Sequence, residues 1–349
     1  MISEKDILDI REHLEKAQNP IFYFDNDADG LCSFLLLRRY IGRGKGVAVR
    51  SYPDLNKAYG SKAKELDGDY VFVLDKPVIS KEFMDEIHKL QLPMVWIDHH
   101  KIPQGWKSED YEQFYSYNSY DEKTGAGEPV TYLSYIISGK KDDLWIAVMG
   151  CVADHYLPDF SSEFSERWPS FWSNNVKGPF DAYYGTEIGN IARALNFGLK
   201  DSTTHIVQMQ NFLINCKGPE DVFLETKENH SFREKYQEIR KKYDSLLARA
   251  EKHIKDKLIY FEYSGELSIS ADLSNELSHK YSDKVIAVAY RKASMANISL
   301  RGKGVRRILD KIIKQFDSAS GGGHENAVGA RIKAEDLGKF KKVLEGELV

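Results

Sequence analysis

The chain has 349 residues, 42% of them apolar and 29% charged. This excludes a disordered or fibrous protein and, at roughly 150 residues per domain, suggests two domains. Its 49 basic and 53 acidic residues leave a net charge of −4, which argues against a globally basic nucleic-acid coat but not against a local basic groove.

In chain order, Ser3 and Asp6 form a capping-box pattern around the start of an apolar series, Ile7, Ile10, Leu14 and Ala17. That spacing predicts an amphipathic helix and not a signal peptide. Three wholly apolar runs follow, Ile21–Phe24, Tyr70–Leu74 and Met94–Ile97, as expected for strands buried on both faces of a parallel sheet. Helical patterns over Leu31–Ile41 and Ser80–Leu90 alternate with them, which predicts an α/β domain with a parallel sheet. Thr131–Ile137 and Asp143–Ala153 read as further helices.

The stretch 156–185 combines Pro158, Pro169 and Pro179 with Phe160, Phe164, Trp168, Phe171 and Trp172. It reads as an irregular aromatic insertion that packs onto the core, with base stacking or partner docking as the functional alternatives. From Phe232 to Ile254 apolar residues recur every three or four positions, which predicts a long helix with a charged outer face. Strand patterns at Leu258–Tyr263, Val285–Tyr290 and Ile298–Arg301 alternate with helical ones at Leu273–Tyr281 and Val305–Phe316. The expected organisation is a parallel-sheet domain over 1–228, a connecting helix over 229–256 and a smaller α/β domain over 257–349. No window approaches the roughly 18 consecutive apolar residues of a membrane span. Cys32, Cys151 and Cys216 lack paired spacing, which speaks against disulfides or a zinc knuckle and for a reducing cytoplasm.

The acids fall at informative places. The first strand runs into Asp25, Asp27, Asp29 and Gly30, the second into Asp75, and the third into Asp98, His99 and His100. Asp154 ends an apolar helix. A lone aspartate after a strand is usually a cap or turn residue, but three successive strand ends converge on the edge where open α/β sheets bind ligands. A calcium loop is excluded because the twelfth position from Asp25 is Leu36. Carboxylates crowded on one edge repel each other unless a cation intervenes. Carboxylates with imidazole suit Mn²⁺ or a related ion, and this many acids can hold two metals that activate water and clamp a phosphoryl group. Toward the other end, Arg291–Lys314 holds eight basic residues against one acid, a net of +7, a field suited to a phosphate backbone. Gly321, Gly322 and Gly323 would let the backbone approach an anion closely, with His324 beside them.

Asp25 to Gly30, Asp75, Asp98 to His100 and Asp154 together resemble the DHH phosphoesterase superfamily. The segment from Ser320 to Ala330 resembles the glycine-rich signature of its DHH-associated C-terminal domain. The closest branch by resemblance is the RecJ-like single-strand exonucleases of archaeal type. The resemblance implies two divalent metals, most readily Mn²⁺ with Mg²⁺ as the alternative. Asp27 would serve one, Asp29, His99 and Asp154 the other, and Asp75 both. Asp98 and His100 would orient ligands or meet the scissile phosphate. Where the family carries a histidine four or two residues before Asp27, this chain has Tyr23 and Asp25, and Asp25 is the replacement candidate. Asp75 is followed by Lys76 and Pro77 where a smaller residue is expected. Arg301, Lys303, Arg306, Gly321, Gly322, Gly323 and His324 would bind substrate, Arg301 foremost, in a cleft between the domains. The implied activity is hydrolysis of single-stranded DNA or RNA to mononucleotides. The alternatives are an oligoribonuclease or a linear or cyclic dinucleotide phosphodiesterase on very short substrates, and a degenerate non-catalytic replication or repair scaffold. A replication or repair protein is the implied protein partner, and no membrane association is expected.

Overall fold

Apolar runs without polar interruption form the middle of a parallel sheet, and the chain between them supplies its covering helices. The computed structural model describes residues 2–51, 54–102 and 111–348. The chain divides into two units, Met1–Tyr236 and Gln237–Val349.

The first unit opens with α1 (Glu4–Lys16), whose Ser3–Asp6 capping box is present and whose Ile10 and Leu14 are buried. It continues through β1 (Pro20–Asp25), α2 (Ala28–Ile41), β2 (Lys45–Val49) and the short β3 (Asp54–Leu55). Next come α3 (Gly60–Glu65), β4 (Tyr70–Leu74), the short β5 (Val78–Ile79), α4 (Lys81–Lys89), β6 (Met94–Asp98) and β7 (Phe114–Asn118). Helices α5 (Val130–Ser138), α6 (Leu144–Ala153), α7 (Ser161–Arg167), α8 (Pro179–Gly185), α9 (Glu187–Gly198) and α10 (Thr203–Asn215) complete its sequence before α11 (His230–Glu251), which crosses into the second unit.

The main sheet has the order β2-β1-β4-β6-β7 with every pairing parallel. From β1 the chain steps outward to β2 and then crosses back to β4 on the other side. The order therefore reverses at β1 and β4, and in open α/β sheets the crevice outside the carboxyl ends at such a point is where ligands bind. One face of the sheet, with Phe22, Phe24, Phe72 and Ile97, packs against α2 and shares one core with α5, α6 and α9. The other, with Tyr23, Val71, Val73 and Trp96, packs on Phe83 and Ile87 of α4. Tyr23 is fully buried there, edge-on to Phe83 at 5.2 Å, and donates its hydroxyl to the Tyr59 carbonyl at 3.1 Å. It is a core residue.

The stretch 156–185 corrects one expectation. It is not irregular throughout, since α7 and α8 form within it. Phe164 is fully buried, and Phe160, Trp168, Phe171 and Trp172 pack against the core of the first unit. Packing accounts for these rings.

The second unit carries β8 (Leu258–Ser264), α12 (Ser270–Lys280), β9 (Val285–Lys292), β10 (Met295–Arg301), α13 (Val305–Ile312), β11 (Ser320–His324), β12 (Ala327–Lys333) and α14 (Leu337–Glu347). Its sheet has the order β11-β12-β10-β9-β8, with only β8 and β9 parallel. Ala287, Ile298, Leu300 and Ile332 form a core with Leu309 and Ile312 of α13 and Phe340 and Leu344 of α14. All three cysteines are buried and free. Among the described residues, no helix is long and apolar enough to cross a membrane.

Candidate metal centre

The loop after β1 folds tightly because residue 30 is glycine. A Cβ there would lie 2.5 Å from the Asp25 carbonyl oxygen and 2.7 Å from its nitrogen. This close approach holds Asp25, Asp27 and Asp29 together at the start of α2. Asp27 is the N-cap, its Oδ1 accepting from Gly30 N–H at 2.9 Å, as short polar side chains do at helix starts. Asp29 is buried and its two carboxylate oxygens accept from the N–H groups of Val130 (3.0 Å) and Thr131 (2.8 Å). These are orphan donors of the first turn of α5, whose dipole favours a carboxylate.

Asp75 follows β4 in the left-handed region, with φ 58°, a conformation aspartate tolerates better than most residues. Its side chain is buried, and its Oδ1 accepts no hydrogen bond. Across the gap, His99 Nε2 lies 3.3 Å from that oxygen and His99 Nδ1 lies 3.9 Å from Asp154 Oδ2. Asp98 sits behind, buried, accepting from the backbone N–H of His100 at 3.0 Å and pairing with His100 Nδ1 at 3.0 Å. Burial alone would lower the pKa of His100, but Asp98 outweighs it and raises it.

These side chains form three overlapping groups whose ligand atoms lie within 4.8 Å of one another: Asp25, Asp27 and Asp75; Asp29, His99 and Asp154; and Asp75, His99 and His100. Every residue assigned to the centre from the sequence is therefore brought to one place. Burial and the neighbouring carboxylates push Asp75 well above the usual carboxylate range and Asp27 up to about 7. Acids so arranged, with a buried carboxylate oxygen lacking a donor, fit divalent cations by position and by chemistry.

A pH dependence follows. Carboxyl groups whose folded pKa is raised bind protons more tightly in the native than in the unfolded state, so stability falls as pH rises from the unfolded value near 4 through the folded value. For Asp27 that window ends at about 7. The metal-free protein should unfold at a lower temperature at pH 8 than at pH 5, and Mn²⁺ should restore the loss at pH 8. Thermal denaturation with and without chelator checks this.

Sequence reasoning missed Lys76 as part of this place. Its side chain is fully buried and its Nζ lies 2.7 Å from Asp25 Oδ1 and 2.8 Å from the Ser51 carbonyl oxygen. The residue stood out in the sequence, but its partner lies 51 positions away. Asn196 was missed as well; its Oδ1 accepts from Ala28 N–H at 2.9 Å and steadies the loop between Asp27 and Asp29.

The residues assigned to substrate lie in the second unit. Arg301 and His324 flank Ala327 in one cross-strand row of β10, β12 and β11. The Arg301 guanidinium donates to Asn275 Oδ1 at 2.5 Å and to the Leu300 carbonyl at 2.8 Å. Arg306 donates to the Gly323 carbonyl at 2.7 Å, and Lys303 stands in the turn between β10 and α13. Gly321, Gly322 and Gly323 do not form a turn-like nest of successive N–H groups. They form the edge strand β11, and a Cβ at Gly321 or Gly323 would lie 2.7 or 2.5 Å from a β12 carbonyl oxygen. The basic segment is also less bare than its charge suggests, because Arg306 pairs with Asp310, Arg307 with Glu325 and Lys311 with Glu347.

A parallel sheet whose reversal point gathers carboxylates and imidazoles defines an α/β protein with a residue cluster that fits divalent cations. Residues 21–153 match the DHH family, N-terminal domain, and residues 255–349 match the DHHA1 domain. The chain belongs to the DHH phosphoesterase family. Solved structures share the fold at low identity. RecJ from Thermus thermophilus in complex with Mn²⁺ superposes with a TM-score of 0.65 at 12% identity, over 99% of this chain and 54% of that one. The present chain thus spans about half the length of that relative. An exonuclease RecJ bound to manganese gives 0.60 at 13% identity, over 100% and 95%. A pGpG-specific phosphodiesterase, PggH from Vibrio cholerae, gives 0.51 at 11% identity, over 95% and 99%. The comparison with curated proteins found no match.

Proposed function

We propose that the protein is a metal-dependent phosphodiesterase that hydrolyses single-stranded DNA or RNA to mononucleotides, as RecJ-like exonucleases do. The observation that carries this reading is the meeting of Asp25, Asp27, Asp29, Asp75, His99 and Asp154 at one sheet edge. Asp29, His99 and Asp154 would hold one metal, Asp25 and Asp27 would hold a second, and Asp75, which belongs to two of the three groups, would serve both. His99 among carboxylates suits Mn²⁺ better than Ca²⁺, which prefers oxygen ligands at longer distances. Bound divalent metals lower the pKa of water and neutralise charge on phosphoryl oxygens.

The chain's own groups do the rest. Asp98 fixes the ring of His100 and favours its protonated form, which suits His100 to an oxygen of the scissile phosphate. The intact set of Asp27, Asp29, Asp75, His99 and Asp154 favours an enzyme over a non-catalytic scaffold. Arg301, Lys303, Arg306 and His324, with the Gly321–Gly323 strand, bind the phosphate backbone. Arg301→Ala should cost about 1.5–3 kcal/mol of transition-state stabilisation, the range for charge-assisted hydrogen bonds. That is one to two decades in kcat/KM, with metal content unchanged. Single-turnover kinetics beside metal analysis checks this expectation.

A second reading is cleavage of very short oligonucleotides only, since a pGpG-specific phosphodiesterase shares this fold over nearly its whole length, as the exonuclease RecJ bound to manganese also does. One experiment separates the two: Mn²⁺ and end-labelled single strands of graded length, DNA and RNA separately. A ladder of mononucleotides from long strands supports the exonuclease. Cleavage confined to the shortest strands supports the second reading. No Mn²⁺-dependent cleavage of any strand refutes both.

A further inference from the structure

The two halves of the centre differ in one respect that the ligand set alone does not reveal. Asp29, His99 and Asp154 combine carboxylates with an imidazole. Asp25, Asp27 and Asp75 are all carboxylates, and a lysine ammonium already sits against them. Lys76 Nζ lies 2.7 Å from Asp25 Oδ1, and its side chain is 0% exposed while that of Asp25 is 21% exposed. The Ser51 carbonyl accepts a second hydrogen bond from Nζ, and Trp96 Nε1 donates to the Lys76 carbonyl at 2.9 Å. The ammonium is thus anchored on two sides, and its backbone is pinned by the neighbouring strand.

Lysine is rarely buried in this way without a partner. A buried ion pair is in general a weak source of stability compared with apolar packing of the same volume, so stability alone does not account for this one. Its electrostatic effect on a neighbouring site is direct. The pair takes up one oxygen of Asp25 and cancels the charge with which that carboxylate would attract a cation. It also places a fixed positive charge beside any divalent ion bound by Asp27 and Asp75, and burial leaves that repulsion poorly screened by salt.

We propose that Lys76 is a resident counter-cation that makes the two halves of the centre unequal, so that Asp29, His99 and Asp154 take a metal ion first and tightly while the half containing Asp25 and Asp27 takes a second ion only weakly. This rests on the reading of the site as a divalent metal centre.

The test is a titration of the full-length, metal-free protein with Mn²⁺, followed by calorimetry and by electron paramagnetic resonance. The wild-type protein should bind one equivalent with the hyperfine pattern of an isolated ion. The second equivalent should bind at least about tenfold more weakly, and the spectrum of a coupled pair should grow in only as it does. Lys76→Met should tighten the second site by about 10–100-fold, the range over which residues behind metal ligands act, and leave the first little changed. Lys76→Arg keeps the charge and should restore the inequality, which a merely structural role for the side chain would not require. Should Lys76→Met fail to fold, Lys76→Gln decides: its amide keeps a hydrogen-bond donor toward Asp25 and Ser51 without the charge, so the second site should tighten while the first stays little changed. Two equivalents of equal affinity in the wild type, or an unchanged second site in folded Lys76→Met or Lys76→Gln, would each overturn the proposal. Absence of any Mn²⁺ binding by the wild type is a different result, and it would overturn the metal-centre reading together with the proposal.

Discussion

Asp75→Asn is expected to reduce Mn²⁺-dependent hydrolysis by at least about 10³-fold, the upper range for removing one charge-stabilising group from a reaction centre. Asparagine is the informative replacement. It keeps the shape of the side chain and tolerates the left-handed backbone at φ 58°, whereas alanine there would add backbone strain to the loss of charge. Asp75 lies in two of the three ligand groups and faces His99 at 3.3 Å, so no neighbour can take over its position. The metal-free variant should be no less stable than the wild type, because removing one of several buried like charges relieves repulsion. Steady-state kinetics and thermal denaturation of the metal-free protein measure the two effects separately. Substantial turnover in this variant would remove Asp75 from the centre.

Gly30→Ala is expected to destabilise the protein by about 1–3 kcal/mol, the usual cost of forcing an extra carbon into a packed site. Helix propensity alone gives the opposite sign, because alanine is favoured over glycine within a helix by about 1 kcal/mol. The contact distances decide between the two effects. The new Cβ would meet the Asp25 oxygen at 2.5 Å and nitrogen at 2.7 Å, and both belong to the backbone at the end of β1, which cannot rotate away. Either β1 or the start of α2 must shift, and Asp25, Asp27 and Asp29 shift with it relative to Asp75. A displacement of this order should cost about 10²-fold in rate, as misplacement of reacting groups by about 1 Å does. Denaturant titration and Mn²⁺ affinity are the measurements. A gain in stability with unchanged metal affinity would show that the turn has room that the distances deny.

What could be read from the sequence follows from how strongly each element is written in it. The central strands β1, β4 and β6 were legible because they are buried along their length and so carry unbroken apolar runs. The acids of the centre were legible because the same parallel sheet delivers the carboxyl ends of those strands to one edge. Edge elements were less visible. β2 includes a glycine and exposed or half-buried positions, and β7 mixes polar and aromatic residues without a buried side chain. β11 reads Ser320, Gly321, Gly322, Gly323, His324, a composition that by propensity is a loop. It pairs as a strand because glycine alone fits so close to β12. The aromatic stretch near Phe164 was expected to be irregular because its prolines mask short helices, each starting at or after a break. The contact between Lys76 and Asp25 could not be read at all, since it depends on the pairing of β1 with β4 and on the left-handed turn at Asp75.

The assignment of this sheet edge as a catalytic metal centre meets its most direct test in crystals of the full chain soaked in Mn²⁺ and measured at the manganese absorption edge. Anomalous density is expected beside Asp29, Asp75, His99 and Asp154, with any second, weaker peak beside Asp27. Anomalous density only at sites remote from Asp75, or none under conditions in which Mn²⁺ supports hydrolysis, would contradict it.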